Sequence, residues 1–212
     1  MNKTFLLIFF FAATTAFAQK RFSEGTVSFA VATFLNGEKL PDEARSVQMI
    51  KGGHFRNDMT SAIGKSITIY DTREGKGAII SEFGSQRILI PLSKENWEDK
   101  NVKFQGVEYL FTNETRELIG FKCNKATATL KDGTLVEVYY TKEISTERPE
   151  VDVQFGTLPG IALQYAYTKG NMQVSYTANA ISFDPVPVQK FDIPSSGYRV
   201  LSYEESKKGK RN

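Results

Sequence analysis

The sequence predicts a mainly β domain (β-rich α+β): a single curved antiparallel sheet or half-barrel with one or two short helices. Three observations predict it. Apolar side chains recur with period two in run after run, turn signals separate those runs at short intervals, and helical periodicity is scarce.

The runs follow in order. "EGTVSFAVATFL" sets Val27, Phe29, Val31 and Leu35 on one face and Ser28, Ala30, Ala32 and Phe34 on the other. "RSVQMIKGGHFRNDM" reads as two strands around Gly52-Gly53, a two-residue hairpin loop in which glycine adopts positive φ without steric strain. "KSITIYDT", "KGAIISEF" and "SQRILIPL" come next, divided by turns at Gly75 and Gly84. "SKENWEDK" is the one clear helical element, with Ser93 as N-cap and Glu95 in the first turn. Asp132-Gly133 between alternating runs signals a hairpin, with Thr129 opposite Val136 and Thr127 opposite Val138. The polar string "ISTERPEVDV", 144 to 153, reads as an exposed loop.

In the stretch "FGTLPGIALQYAYTKGNMQVSYTANAISF" the corner Leu158-Pro159-Gly160 leads into a strand with Ile161, Leu163, Tyr165 and Tyr167 on one face. Lys169-Gly170-Asn171 turns the chain, and Met172, Val174 and Tyr176 answer on the return, followed by Ala178 and Ala180. One short helical turn falls near Val188 to Phe191, and the adjacent Glu204 and Glu205 near the end read as extended chain, pointing to opposite faces.

The N-terminus carries Lys3, an apolar run from Phe5 to Ala13, and Ala16-Phe17-Ala18. This is a secretory signal peptide over 1–18, its apolar run short of the roughly 20 residues a bilayer span needs. The mature chain therefore carries no transmembrane anchor. The expected domain runs over 19–206, and the basic end 207–212 is expected to be a disordered tail. Losing Lys3 leaves 26 basic against 24 acidic side chains, a balance that argues against a nucleic-acid partner.

Catalytic equipment is sparse. His54 is the single histidine, which excludes a two-histidine metal site, and Cys123 is the single cysteine, placed mid-strand rather than at a helix N-terminus. No catalytic residue, metal site or cofactor is predicted. "DTREG", 71 to 75, lacks calcium-loop spacing and reads as a turn. Trp97, Tyr109 and Phe111 read as core rather than as a platform for sugar.

The order "QMIKGGHFRNDMTS…KSITIYDTREGKGAII…RILIPL", then "ETRELIGFKCNKATATLKDGTLVEVYYTKEI", "LPG" and "ALQYAYTKGNMQVSYTANAISFDPVPVQKFDIPSSGY" resembles an exported domain family of unknown function from Gram-negative bacteria. That family is similar to the outer-membrane lipoprotein carrier (Lol-type) superfamily, and the likeness covers residues 24 to 203. The resemblance implies a lipoprotein-carrier-like curved sheet around a few helices, enclosing an apolar cavity for acyl chains. It is a likeness of strands and turns, so it bears on fold more than on activity.

The expectation is a periplasmic, non-catalytic binding protein for a lipid, acyl chain or lipidated peptide. The expected pocket residues are Val27, Phe29, Val31, Ile67, Ile69, Leu163, Tyr165, Tyr167, Met172, Val174 and Tyr176. The small residues Ala30, Ala32, Ala178 and Ala180 are expected to leave volume beside them. The alternative is an envelope scaffold with a filled sheet, recruiting a protein partner through a strand edge or the 144–153 loop.

Overall fold

The computed structural model describes residues 20–208; the expected signal peptide and the end of the basic tail, 209–212, lie outside the described residues. Strands β1 (Lys20–Phe22), β2 (Glu24–Leu35), β3 (Glu38–Lys39), β4 (Ala44–Lys51), β5 (His54–Ser61), β6 (Gly64–Asp71), β7 (Lys76–Phe83) and β8 (Gln86–Leu92) precede helix α1 (Lys94–Lys100). Strands β9 (Leu110–Leu118), β10 (Phe121–Thr129), β11 (Leu135–Thr141), β12 (Ile144–Thr146), β13 (Ile161–Lys169), β14 (Met172–Ser182) and β15 (Arg199–Val200) follow, and α2 (Tyr203–Lys208) ends the described chain. Short 3₁₀ turns occupy Val102–Phe104, Pro149–Val151 and Val188–Phe191.

Thirteen of the strands form one sheet in the order β15-β8-β7-β6-β5-β4-β2-β14-β13-β11-β10-β9, with β3 also on β2. Every pairing in it is antiparallel except the parallel pair of β15 with β8. Strands β1 and β12 make a separate parallel pair. The sheet is open, with β9 and β15 as its ends. Both ends are blunted: β15 has two residues, and a bulge between Asn124 and Ala126 interrupts the pairing of β9 with β10.

The sheet bends around one face. Strands three places apart in a flat sheet would stand about 14 Å from each other. Yet the Gln48 amide on β4 donates to the Tyr165 hydroxyl on β13 at 3.3 Å, across β2 and β14. Phe29 on β2 likewise meets Tyr165 edge-on at 5.5 Å.

Register decides which side chains share that inner face. Val27, Gln48, Asn57, Thr68, Ile79 and Ile90 stand side by side across six strands on the inner side. Ser28, Val47, Asp58, Ile67, Ile80 and Leu89 form the neighbouring row on the outer side. The outer apolar patch of β6 to β8, with Ile67, Ile69, Ala78 and Ile80, is covered by Val186 and Phe191 of the C-terminal segment. That segment is tied down by polar contacts: the Val186 N–H donates to Glu24, Arg56 donates to the Lys190 carbonyl, and the Tyr198 hydroxyl donates to Glu82.

On the inner side the connection from β8 to β9 crosses from one end of the sheet to the other. Trp97 of α1 stacks on Tyr70 with ring centroids 4.1 Å apart, and Phe104 packs edge-on against Tyr167. Ser93 caps α1 as expected: its hydroxyl accepts from the Asn96 N–H, and the Asn96 side chain accepts from the Ser93 N–H. Ser93→Ala is expected to lower stability by about 1 kcal/mol in urea titration, since it leaves an orphan donor at the helix start.

Three local expectations need correction. The hairpin at Asp132-Gly133 pairs Thr129 with Leu135 and Thr127 with Glu137, one residue away from the expected register. The loop is longer than two residues, closed by Leu130 N–H to the Thr134 carbonyl, and a slip of one residue turns every side chain over. Glu204 and Glu205 lie in α2, where Glu205 accepts from the Ser202 N–H, so they are helical rather than extended. The tail expected from 207 overlaps this helix at Lys207 and Lys208. The third correction, the 144–153 segment, bears on the site.

Candidate functional site

The inner face of β2, β14 and β13 carries an aromatic bed. Tyr165 stacks on Tyr176 at 4.6 Å, Tyr167 meets both edge-on, and Phe29 closes the other side. The alternation of the two long strands produces this bed directly, because each second residue faces inward and adjacent registers align Tyr165 with Tyr176 and Tyr167 with Val174. Burial holds the Tyr165 and Tyr167 hydroxyls well above their ordinary range, so both stay neutral at any physiological pH.

The bed is occupied by the chain itself. The segment between β12 and β13, expected to be an exposed loop over 144–153, folds down onto the inner face. Ile144, Val151, Phe155 and Leu158 are buried, and the Phe155 ring stands 4.7 Å from Tyr165. The composition misleads because the apolar positions are widely spaced among polar ones and follow no strand or helix period. We call residues 147–160 the plug.

Between 148 and 160 the plug's backbone bonds close within itself: Val151 to Arg148, Asp152 to Pro149, Gly156 to Asp152 and Leu158 to Phe155. Apart from the Glu147 N–H, which donates to the Phe22 carbonyl at 3.5 Å, its attachment to the domain is through side chains. The Tyr109 hydroxyl donates to the Gln154 carbonyl at 3.0 Å, and the Tyr167 hydroxyl donates to the Gln154 side-chain oxygen at 2.6 Å. At its end Gly160 lies so close to β11 that a Cβ there would stand 1.9 Å from the Thr141 carbonyl oxygen.

Two small voids remain beside the plug. One of about 20 Å³ lies among Phe22, Val27, Ile50, Phe155 and Tyr165, and one of about 50 Å³ among Gln48, Asn57, Thr68, Lys100 and Gln154. Asp152 borders both. Its Oδ1 accepts the Phe155 N–H at 3.1 Å, and burial pushes its carboxyl up to about 6 against the pull of backbone bonds from Phe155 and Gln154. Sequence reasoning passed over Asp152, because nothing in a polar string marks which acid borders the interior.

The eleven expected pocket residues therefore do not line one open cavity. Val27, Phe29, Leu163 and Tyr165 are buried in the inner core, with Tyr167 and Tyr176 packed against it. Val31 is buried, and Val174 is half-buried on the same inner face. Met172 shares that face but lies at the strand end, 49% exposed. Ile67 and Ile69 are on the outer face beneath Val186 and Phe191, which the alternation of one strand cannot reveal for a strand several places away. Ala178 belongs to the inner core, but Ala30 and Ala32 leave their volume on the opposite side. There they floor an open groove of about 890 Å³ with Ser175, Thr177 and Asn179, walled by Lys39 to Arg45.

The remaining candidates are structural. His54 lies on an interior strand, its imidazole stacked on Phe191 and 3.3 Å from the Asp71 carboxylate. Cys123 is buried, and burial pushes its thiol up to about 11. Trp97 is core, Tyr109 holds the plug, and Phe111 is 57% exposed on β9. Asp71 at the start of "DTREG" accepts from the Arg73 and Glu74 N–H groups, which makes a turn.

No protein-family model matches the chain. Among solved structures, PNGF-II superposes with a TM-score of 0.51 at 10% identity, over 87% of this chain and 33% of that one. The likeness is one of fold. This chain spans about a third of the PNGF-II chain it matches. MucB matches with a TM-score of 0.43 at 8% identity, covering 84% of this chain and 60% of its own. An outer membrane lipoprotein-sorting protein domain from Vibrio parahaemolyticus matches at 0.38 and 7% identity, covering 79% and 89%. The β-rich, curved and open antiparallel sheet that the sequence predicts is present in the strand order itself, and neither of these last two likenesses carries an argument.

Proposed function

We propose that this protein is a non-catalytic binding protein of the cell envelope that takes an apolar chain, from a lipid or lipidated peptide, onto the aromatic bed when the plug leaves it. The plug carries this reading. An irregular segment normally runs over the surface, because its backbone groups need water. This one is folded inward, makes four backbone bonds within itself, and packs Phe155 and Leu158 into the same core as the bed, as an apolar ligand would. Burial of apolar ligand surface would supply about 25 cal/mol per Å² before binding costs are subtracted.

With the plug seated the inner face has no room for an acyl chain: its voids of about 20 and 50 Å³ fall far below the roughly 300 Å³ of a small-molecule site. That near-solid interior supports the second reading, an envelope scaffold with a filled sheet that binds a protein partner. Export is supported by the signal-peptide pattern of residues 1–18. The absence of activity is supported by the engaged His54 and the protonated Cys123 thiol.

The test is native purification of the exported protein from cells, organic extraction and mass spectrometry of the extract. Wild type is expected to carry less than one lipid per chain, and Phe155→Ala/Leu158→Ala, which frees the bed, close to one. A double variant that still melts cooperatively but yields no lipid overturns the carrier reading in favour of the scaffold.

A further inference from the structure

The hairpins that open toward one rim of the sheet are tipped with apolar side chains. The turns at 36–37, 62–63, 84–85, 130–134 and 170–171 all stand at that rim, because the strands they join end there in register. Neighbouring tips lie two strands apart, about 10 Å from each other along the sheet. Among the described residues, Leu35, Ile63, Phe83, Leu135 and Met172 are exposed within or beside these turns. The turns of the opposite rim, Gly52-Gly53, 72–75 and 119–120, carry one exposed large apolar side chain among the described residues, Ile119, at 36%. Scattered exposed apolar residues are ordinary; their collection on one rim is not.

Ile63 departs furthest from turn chemistry. Ser61 pairs with Gly64, so the loop consists of Ala62 and Ile63, where a two-residue hairpin favours Asn, Asp or Gly. The β-branched side chain placed there is 76% exposed and belongs to none of the apolar clusters of the fold. Charge is gathered at the same tips. The turns with their flanks, 35–40, 61–65, 83–87, 130–135 and 169–172, hold Lys39, Lys65, Arg87, Lys131 and Lys169 against Glu38 and Asp132, in a mature chain that is nearly balanced. Arg87 pairs with Glu82 at 3.3 Å and Lys169 with Asp132 at 3.2 Å, at exposed sites where such pairs are weak. Behind the tips the balance returns, with Asp42, Glu43 and Glu82 against Arg45.

We propose that this rim is a membrane-contact edge: its apolar tips enter the surface of an anionic lipid bilayer, and the cations between them stand among the lipid phosphates. A protein partner is the poorer fit. Tips about 10 Å apart, with glycine, asparagine and lysine between them, do not make the continuous packed centre of a protein interface. A lipid surface needs no such continuity, since each side chain enters the acyl boundary separately while basic groups meet the head groups. The edge requires neither a cargo on the inner face nor movement of the plug, so it goes beyond the binding reading.

Flotation of the full mature chain with vesicles tests this, with phosphatidylcholine alone and with phosphatidylglycerol added. Wild type is expected to float with the anionic vesicles, less so as salt is raised. Ile63→Ser/Met172→Ser is expected to lower the partition coefficient roughly tenfold or more, because two apolar side chains no longer leave water. Lys39→Glu/Lys131→Glu, the second variant, should weaken binding to the anionic vesicles, and Ile119→Ser on the opposite rim should float as wild type does. Wild type that floats with neither vesicle overturns the proposal, as does binding that survives the loss of both apolar tips or falls equally in Ile119→Ser. Dimers in sedimentation that Ile63→Ser/Met172→Ser dissolves, without vesicle binding, would overturn it in favour of a second copy of this chain. Vesicle binding by a protein that never yields lipid on extraction would sink the carrier reading and leave the edge standing; extracted lipid from a protein that ignores vesicles would do the reverse.

Discussion

Phe29→Ala is expected to remove about 3–5 kcal/mol of stability, a large share of the roughly 5–15 kcal/mol that holds a typical domain folded. Phe29 is 1% exposed on β2, at the centre of the sheet between β4 and β14. Its ring fills the angle of the bend and meets Tyr165 from two strands away, so truncation opens a cavity between elements that the backbone ladder holds at fixed spacing. Neighbouring strands cannot collapse into it without giving up register. Urea titration followed by far-ultraviolet circular dichroism measures the loss as a shift of the midpoint. A loss below about 1 kcal/mol would show that the inner face is not packed around this ring.

Trp97→Ala is expected to cost a similar amount, about 3–5 kcal/mol, through a different cluster. Trp97 stacks on Tyr70, tilts against Phe55 and shares their cluster with Leu92. Helix α1 has seven residues, too few to be stable in water without the contact this side chain makes. Its loss should release the start of the crossover that spans the inner face. Trp97→Phe keeps most of the stacking area and should lose much less. Because Phe29 and Trp97 fall in separate clusters, their losses should add within about 0.5 kcal/mol where the double variant still folds. Urea midpoints of the four proteins decide both points, and a Trp97→Ala protein as stable as wild type would remove α1 from the architecture.

Much of the fold was legible from spacing alone. The two-residue turn at Gly52-Gly53, the cap at Ser93 and the return after Lys169 are local matters, decided within a few residues by φ requirements, capping groups and the pleat. The buried state of Cys123 and the aromatic face of β13 and β14 were legible for the same reason. The parallel pairs β1 with β12 and β15 with β8 were not, since segments of two or three residues carry no period.

The candidate site was half legible. Phe29, Leu163, Tyr165, Tyr167 and Tyr176 do converge, because alternation marks them as one side of neighbouring strands. Ile67 and Ile69 alternate just as well and end on the other side of the sheet, since period two says that a strand has two faces but not which face a distant strand shares with it. The 144–153 string was read as exposed because polar residues outnumber apolar ones in it, yet Ile144 and Val151 within it are buried.

The sequence by itself determined a β-rich domain, the place of its strands and its one clear helix, and a set of inward-facing aromatic residues, because those follow from contacts between near neighbours along the chain. Tertiary structure alone decided the bend of the sheet, the covering of its outer side by Val186 and Phe191, the filling of its inner side by Phe155 and Leu158, and the place of Asp152 beside two small voids. Each of these depends on which segments far apart in sequence come to lie together, and burial and charge enclosure are properties of that assembly rather than of any stretch of chain.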